Sequence, residues 1–145
     1  MKAVISWVVL ANARVARVYE HAGPGKGLTA RQGKTWHAAP LRTHRDRAGV
    51  GHSIAGPGIR AVEQTHLRDL NDAQFAKEVI GHLSKAYLDK SFDRLILVAG
   101  PHMLGLLRTN LDTPLSAALL GEIPKDFSNQ PLSSLEAQLG ELIAI

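Results

Sequence analysis

The sequence predicts an α/β domain built on a mixed β-sheet flanked by helices. Three observations predict it. An apolar, β-branched hairpin opens the chain. Helical and strand-like apolar spacings alternate from residue 71 onward. The chain has 145 residues, enough to bury one core without a disulfide or metal staple.

Val4 to Leu10 (VISWVVL) reads as a buried strand, being short, apolar and β-branched. Asn12 offers a turn, because Asn tolerates left-handed backbone angles. Arg14 to Glu20 reads as the returning strand, with Val15, Val18 and Tyr19 as its apolar members. Residues 21–35 read as loop, Trp36 to Thr43 as a third strand, and 44–68 as mostly irregular. Asn71 with Gln74 three residues on resembles a capping box opening a helix. Phe75, Val79, Ile80, Leu83, Ala86 and Tyr87 supply its apolar stripe. Arg94 to Ala99 (RLILVA) has strand length. Gly100-Pro101 breaks it, and Leu104, Leu107 and Leu111 mark a second helix. A strand is expected near Ala117 to Ile123. Ser133 with Glu136 forms another capping-box pattern before a final helix faced by Leu132, Leu135, Leu139 and Leu142.

Residues 1–145 are expected to form a single domain. Hydrophobic residues make up 45% and charged residues 21%, which excludes wholesale disorder. The absence of cysteine removes disulfides, thiol catalysis and Cys-based zinc sites. The longest nearly apolar run, Ala3 to Ala11, contains Ser6 and is far short of the ~20 residues a spanning helix needs. Charge follows it where a cleavage site would need small residues. A cytoplasmic protein without membrane insertion is expected.

The net charge of +4 is unevenly placed. Residues 22–68 hold Lys26, Arg31, Lys34, Arg42, Arg45, Arg47, Arg60 and Arg68 against Asp46 and Glu63, a net of +6. The same stretch holds eight of the 13 glycines. Residues 69–145 carry a net of −4. The chain therefore reads as an α/β scaffold with a basic, Gly-rich loop region. Arg31, Lys34, Arg42, Arg45, Arg47 and Arg60 are the candidate nucleic-acid contacts, since guanidinium groups near rings suit phosphate contact and base stacking. A solvated loop is the competing reading of the same residues.

The enzyme motifs fail. Gly33-Lys34-Thr35 resembles the end of a phosphate-binding loop, but position 28 is Leu where that motif requires Gly. Gly51-His52-Ser53-Ile54-Ala55 approaches a nucleophile elbow but lacks the last Gly and the strand-to-helix context. The seven histidines (His21, His37, His44, His52, His66, His82 and His102) form no pair at helical ligand spacing; solvated loop histidines are the favoured reading over a composite metal site assembled in space, and no metal site and no cofactor is predicted. Asp89, Asp93, Asp112 and Asp126 lie near predicted element ends, where capping is the favoured reading.

Four segments carry a family resemblance: WVVLANARVARVY (7–19), DRAGVGHSIAGPGIRAVE (46–63) running into FAKEVIGHL (75–83), RLILVAGPHMLGLLR (94–108) and GEIPKDFSNQPLSSLEAQL (121–139). In this order they resemble the bacterial host attachment protein family, described as proteins required for attachment to host cells. The matching positions are Asn12, Arg14, Arg17, Asp46, Arg47, Leu104, Gly105, Arg108, Lys125 and Asp126. Asn12 stands where the family usually has Asp. The resemblance implies a ribonuclease-H-like sheet related to the middle domain of archaeal and eukaryotic peptide-chain release factors. It also implies a connection to translation through RNA, tRNA or the ribosome. Those factors hydrolyse peptidyl-tRNA with a Gly-Gly-Gln loop, which this sequence lacks, so no catalytic residue carries over. Strand alternation places Arg14 and Arg17 on opposite faces, which separates them unless a bulge intervenes. Arg108, near a helix end, also suits a purely structural bond to carbonyl groups.

Three functions follow as expectations. The first is a non-catalytic domain contacting RNA or the ribosome through the basic region. The second is a protein-interaction factor in surface attachment. The third is a hydrolase whose site is not assembled in sequence. A homodimer is compatible with the chain, although no specific seam is visible.

Overall fold

The computed structural model describes residues 4–40 and 57–143, with side chains from residue 61 onward in the second stretch. Five strands form one mixed sheet: β1 (Ser6–Ala11), β2 (Val15–His21), β3 (Thr29–His37), β4 (Arg94–Ala99) and β5 (Leu119–Ile123). Their order is β3-β2-β1-β4-β5. β1, β2 and β3 pair antiparallel, while β1–β4 and β4–β5 are parallel. Parallel neighbours need crossovers. Helix α1 (Pro57–Leu88) supplies the first; α2 (Pro101–Thr109) and α3 (Thr113–Ala118) supply the second. Helix α4 (Leu132–Leu139) follows β5. The mixed, helix-flanked sheet expected from the sequence is present.

Alternating side chains build a core on each face of the sheet. Trp7, Val9 and Ala11 of β1 pack with Phe75, Val79 and Leu83 of α1 and with Leu104 and Leu107 of α2. Val8, Ile96 and Val98 pack against Leu135 and Leu139 of α4 and against Phe127. Trp7 is fully buried, stacks on Phe92 at 4.7 Å, and donates its indole N–H to Glu20 Oε1 at 3.2 Å. A buried Trp needs such a partner for its N–H.

Several sequence expectations are corrected. The third strand lies at Thr29–His37 and takes in residues read as loop; residues 38–40 of the expected 36–43 strand are not strand, and 41–43 lie outside the described residues. It is an edge strand with a mostly exposed, polar sequence, so it shows no apolar alternation. Main-chain pairing to β2 holds it, together with Trp36, which packs against the core. Its register jumps between Arg17↔Thr35 and Tyr19↔Ala30, leaving residues 31–34 opposite Val18 alone. Gly33, at φ +80°, makes that bulge. Gly33-Lys34-Thr35 is therefore strand, which removes the phosphate-loop reading.

The first helix begins at Pro57, well before Asn71. Pro at the first helical position gives up an N–H that would be unpaired anyway. Asn71 is mid-helix and donates from Nδ2 to Ala39 O at 3.3 Å, while Gln74 donates to Glu78 at 3.2 Å, so no capping box exists there. At α4 the N-cap is Pro131, without a side-chain bond. Glu136 instead accepts the Leu28 N–H at 3.3 Å. Leu135 and Leu139 are buried as expected, but Leu132 and Leu142 are exposed. The expected strand at 117–123 is shorter, because Asp112 caps α3 by accepting the Leu115 N–H at 2.8 Å.

Candidate functional site

The parallel strands β1, β4 and β5 all end at one edge of the sheet, and open α/β sheets bind ligands beyond such edges. The segment after β1 begins at Asn12. Its Oδ1 accepts the N–H groups of Arg14 (2.8 Å) and Val15 (2.9 Å), an Asx turn that feeds the chain into β2. Its Nδ2 donates to Ser128 Oγ at 2.7 Å, across to the segment after β5. Ser128 in turn donates both its backbone N–H (2.9 Å) and its hydroxyl to Asp126 Oδ1. Those two bonds, the hydroxyl first, hold the Asp126 carboxyl below its ordinary pKa.

This network floors a cleft of about 300 Å³ lined by Asn12, Arg14, Arg17, Asp126, Ser128 and Asn129, among others. Four of the family-motif residues thus converge on one place. The expected separation of Arg14 and Arg17 is corrected: Arg14 lies in the turn before β2, where strand alternation does not apply. Both side chains are exposed, and neither has a hydrogen-bond or ion-pair partner among the described residues. Ser128 and Asn129 escaped the sequence reading. The readable signal was the Asp-Phe-Ser spacing, which suits a local carboxylate-to-N–H turn.

The other motif residues stand elsewhere. Leu104 is buried core, and a Cβ on Gly105 would meet nothing within 4 Å. Arg108 forks onto Glu122, with Nη2–Oε2 at 2.6 Å and Nε–Oε2 at 3.1 Å, tying α2 to edge strand β5. The hydrogen bond to Glu122, then its charge, raises the Arg108 pKa further above its already high value. Lys125 donates to Gln138 at 3.3 Å.

The basic candidates are only partly visible. Arg31 lies 3.8 Å from Glu20 and 5.9 Å over the Trp7 ring, and Lys34 sits in the β3 bulge. Arg42, Arg45, Asp46 and Arg47, like the Gly51-to-Ala55 segment, lie outside the described residues, as does the side chain of Arg60 on α1. Of the histidines, His82 stacks on Trp36 at 4.7 Å and His21 is buried. Among the described residues, Asp69 and Asp72 of α1 and His102 of α2 bring one ligand atom each within 4.8 Å of one another. His102 Nε2 is 3.4 Å from Asp72 Oδ2. No helix among the described residues is long and apolar enough to cross a membrane.

The architecture defines an α/β domain with a polar cleft at the carboxyl edge of a mixed sheet. The chain belongs to the family described as "Protein required for attachment to host cells", whose family model matches residues 7–139. It is 30% identical over 92 residues to "Uncharacterized protein RP470" of Rickettsia prowazekii (strain Madrid E), covering 62% of this chain and 61% of that protein. A solved structure described as "Archaeal protein" aligns over 97% of this chain and 34% of its own length, with 14% identity and a TM-score of 0.49. The chain thus spans about six tenths of the bacterial relative and a third of the archaeal chain.

Proposed function

We propose that this member of the host attachment family is a non-catalytic domain that contacts RNA, in the setting of the ribosome, through its basic middle region. On this reading its effect on attachment is indirect, through translation. The observation that carries the reading is the bare first half of α1. Residues 61–70 are exposed except for Leu67, and the first buried side chain among the described residues of the helix is Phe75. At 1.5 Å per residue, the 61–74 stretch spans about 21 Å without a fully buried side chain. The packed half beyond Phe75 nucleates this stretch, which then presents a long exposed face to a partner surface.

The stretch with net charge +6 runs up to and into this arm, ending at Arg68. Phosphate contact favours clustered Arg and Lys and releases counterions, giving salt-dependent binding. Arg31 and Lys34, exposed or half-exposed on the β3 edge, extend the same charge onto the sheet.

The test is co-sedimentation of the chain with ribosomes at graded salt. Replacing Arg42, Arg45 and Arg47 with Ala is expected to release the protein at lower salt than the wild type. Unaltered sedimentation overturns the reading. A bound partner that survives nuclease treatment would favour a protein-interaction role instead.

A further inference from the structure

We propose that the cleft at the carboxyl edge of β1 is a binding site for a phosphorylated ribose, as a ribonucleoside monophosphate presents it. This site is separate from the RNA contact assigned to α1 and does not depend on it. Its volume, about 300 Å³, is at the lower end of the ~300–1,000 Å³ range of small-molecule pockets.

The chemistry is divided between two walls. The β2 wall carries Arg14 and Arg17, two guanidinium groups without a partner among the described residues. Guanidinium forks match phosphate oxygens and bind them by charge-assisted hydrogen bonds. The opposite wall carries Asp126 and Asn129. Asp126 accepts the two Ser128 hydrogens on Oδ1, and its Oδ2 takes no hydrogen bond from a described residue. That wall is acceptor-rich, carries the negative charge and repels phosphate. It suits hydroxyl hydrogens, as a carboxylate suits a ribose diol.

A ligand with an anionic end and a hydroxylated body therefore fits in one orientation only: phosphate toward β2, ribose toward residues 126–129. The floor is already organised. Asn12 is fixed by three hydrogen bonds and Ser128 by two to Asp126, so little ordering accompanies binding.

The experiment is calorimetric titration of the full chain at low salt and pH 7.5 with AMP, and separately with adenosine and inorganic phosphate. AMP is expected to bind saturably. Adenosine and phosphate should each bind at least tenfold more weakly. The double variant Arg14→Ala/Arg17→Ala changes only exposed side chains and is expected to lose AMP affinity by about tenfold or more, as removal of a charge-assisted contact does. Asp126→Ala is expected to weaken AMP while phosphate binds no more weakly, because the carboxylate that repels it is gone. Should it unfold, Asn129→Ala gives the same readout from an exposed residue. No saturable AMP binding at millimolar concentration, equal binding of AMP and adenosine, or an unaffected double arginine variant each overturns the proposal. None of these results bears on ribosome co-sedimentation.

Discussion

At the scale of single residues, the direction of one hydrogen-bond chain decides what position 12 tolerates. Ser128 donates its only hydroxyl hydrogen to Asp126, so it accepts from Asn12 Nδ2. An Asp at position 12 has no hydrogen to give, and it adds a second carboxylate around one hydroxyl. Asn12→Asp is therefore expected to cost about 1 kcal/mol near neutral pH, the scale of one lost hydrogen bond. The loss should shrink toward about pH 4, where a carboxylate regains a proton. Urea denaturation across that range checks it, and a loss that stays constant with pH counts against the like-charge account. Asp126 gives a second pH signature. Its folded pKa lies below its unfolded one, because Ser128 bonds the ionised form. The stabilisation is thus fully present above the unfolded value of about 3.9 and is lost as pH falls through the lowered folded value. Compared with Asp126→Asn, the wild type should lose its advantage only below about pH 4. A stability gap that does not narrow there removes the Ser128 explanation. The sequence made Asp126 and Arg14 visible as motif members but not as neighbours. An Asx turn ends strand alternation one residue before β2, and alternation was the rule that had separated the two arginines.

At the scale of elements, what was legible tracks what is buried. β1, β4 and the Phe75-to-Ala86 half of α1 place apolar side chains in the core, so composition and spacing revealed them. The β3 strand and residues 61–70 of α1 bury no side chain fully, so their sequences carry little apolar spacing. Polar composition then looks like loop whichever structure the backbone takes. The same contrast predicts mutational costs along one helix. Phe75→Ala is expected to destabilise by about 3–5 kcal/mol, since it empties a fully enclosed site. Val62→Lys, at 69% exposure, should stay within about 0.5 kcal/mol of the wild type. Chemical denaturation of both variants checks this, and a large loss at Val62 would mean that the arm packs against something in the free protein. The Arg108–Glu122 fork acts between elements, holding the last turn of α2 to the edge strand β5. Arg108→Ala is expected to lower the melting temperature slightly at low salt and not at all near 1 M salt, where the Debye length is about 3 Å. This residue matched the family motif, and its local pairing gives it a structural role.

At the scale of the whole molecule, the charge is polarised. A stretch of +6 ends on the projecting half of α1, while residues 69–145 carry −4. Such an arrangement steers the basic stretch toward an anionic surface and turns the acidic C-terminal half away from it. If RNA is that surface, affinity should fall linearly with salt on logarithmic axes, with a slope of about −0.7 per phosphate contacted on single strands and −0.9 on duplex. Removing Arg42, Arg45 and Arg47 together should therefore flatten the slope by about 2 if all three contact phosphate. Removing Arg14 and Arg17, which face the cleft at the sheet edge, should leave the slope nearly unchanged. Fluorescence anisotropy with a labelled oligoribonucleotide between low and physiological salt measures both. The comparison separates the two basic regions: equal flattening by both sets of substitutions would mean that the cleft and the middle region form one continuous RNA surface. No change in slope from the triple substitution would mean that the +6 stretch serves solubility and not recognition.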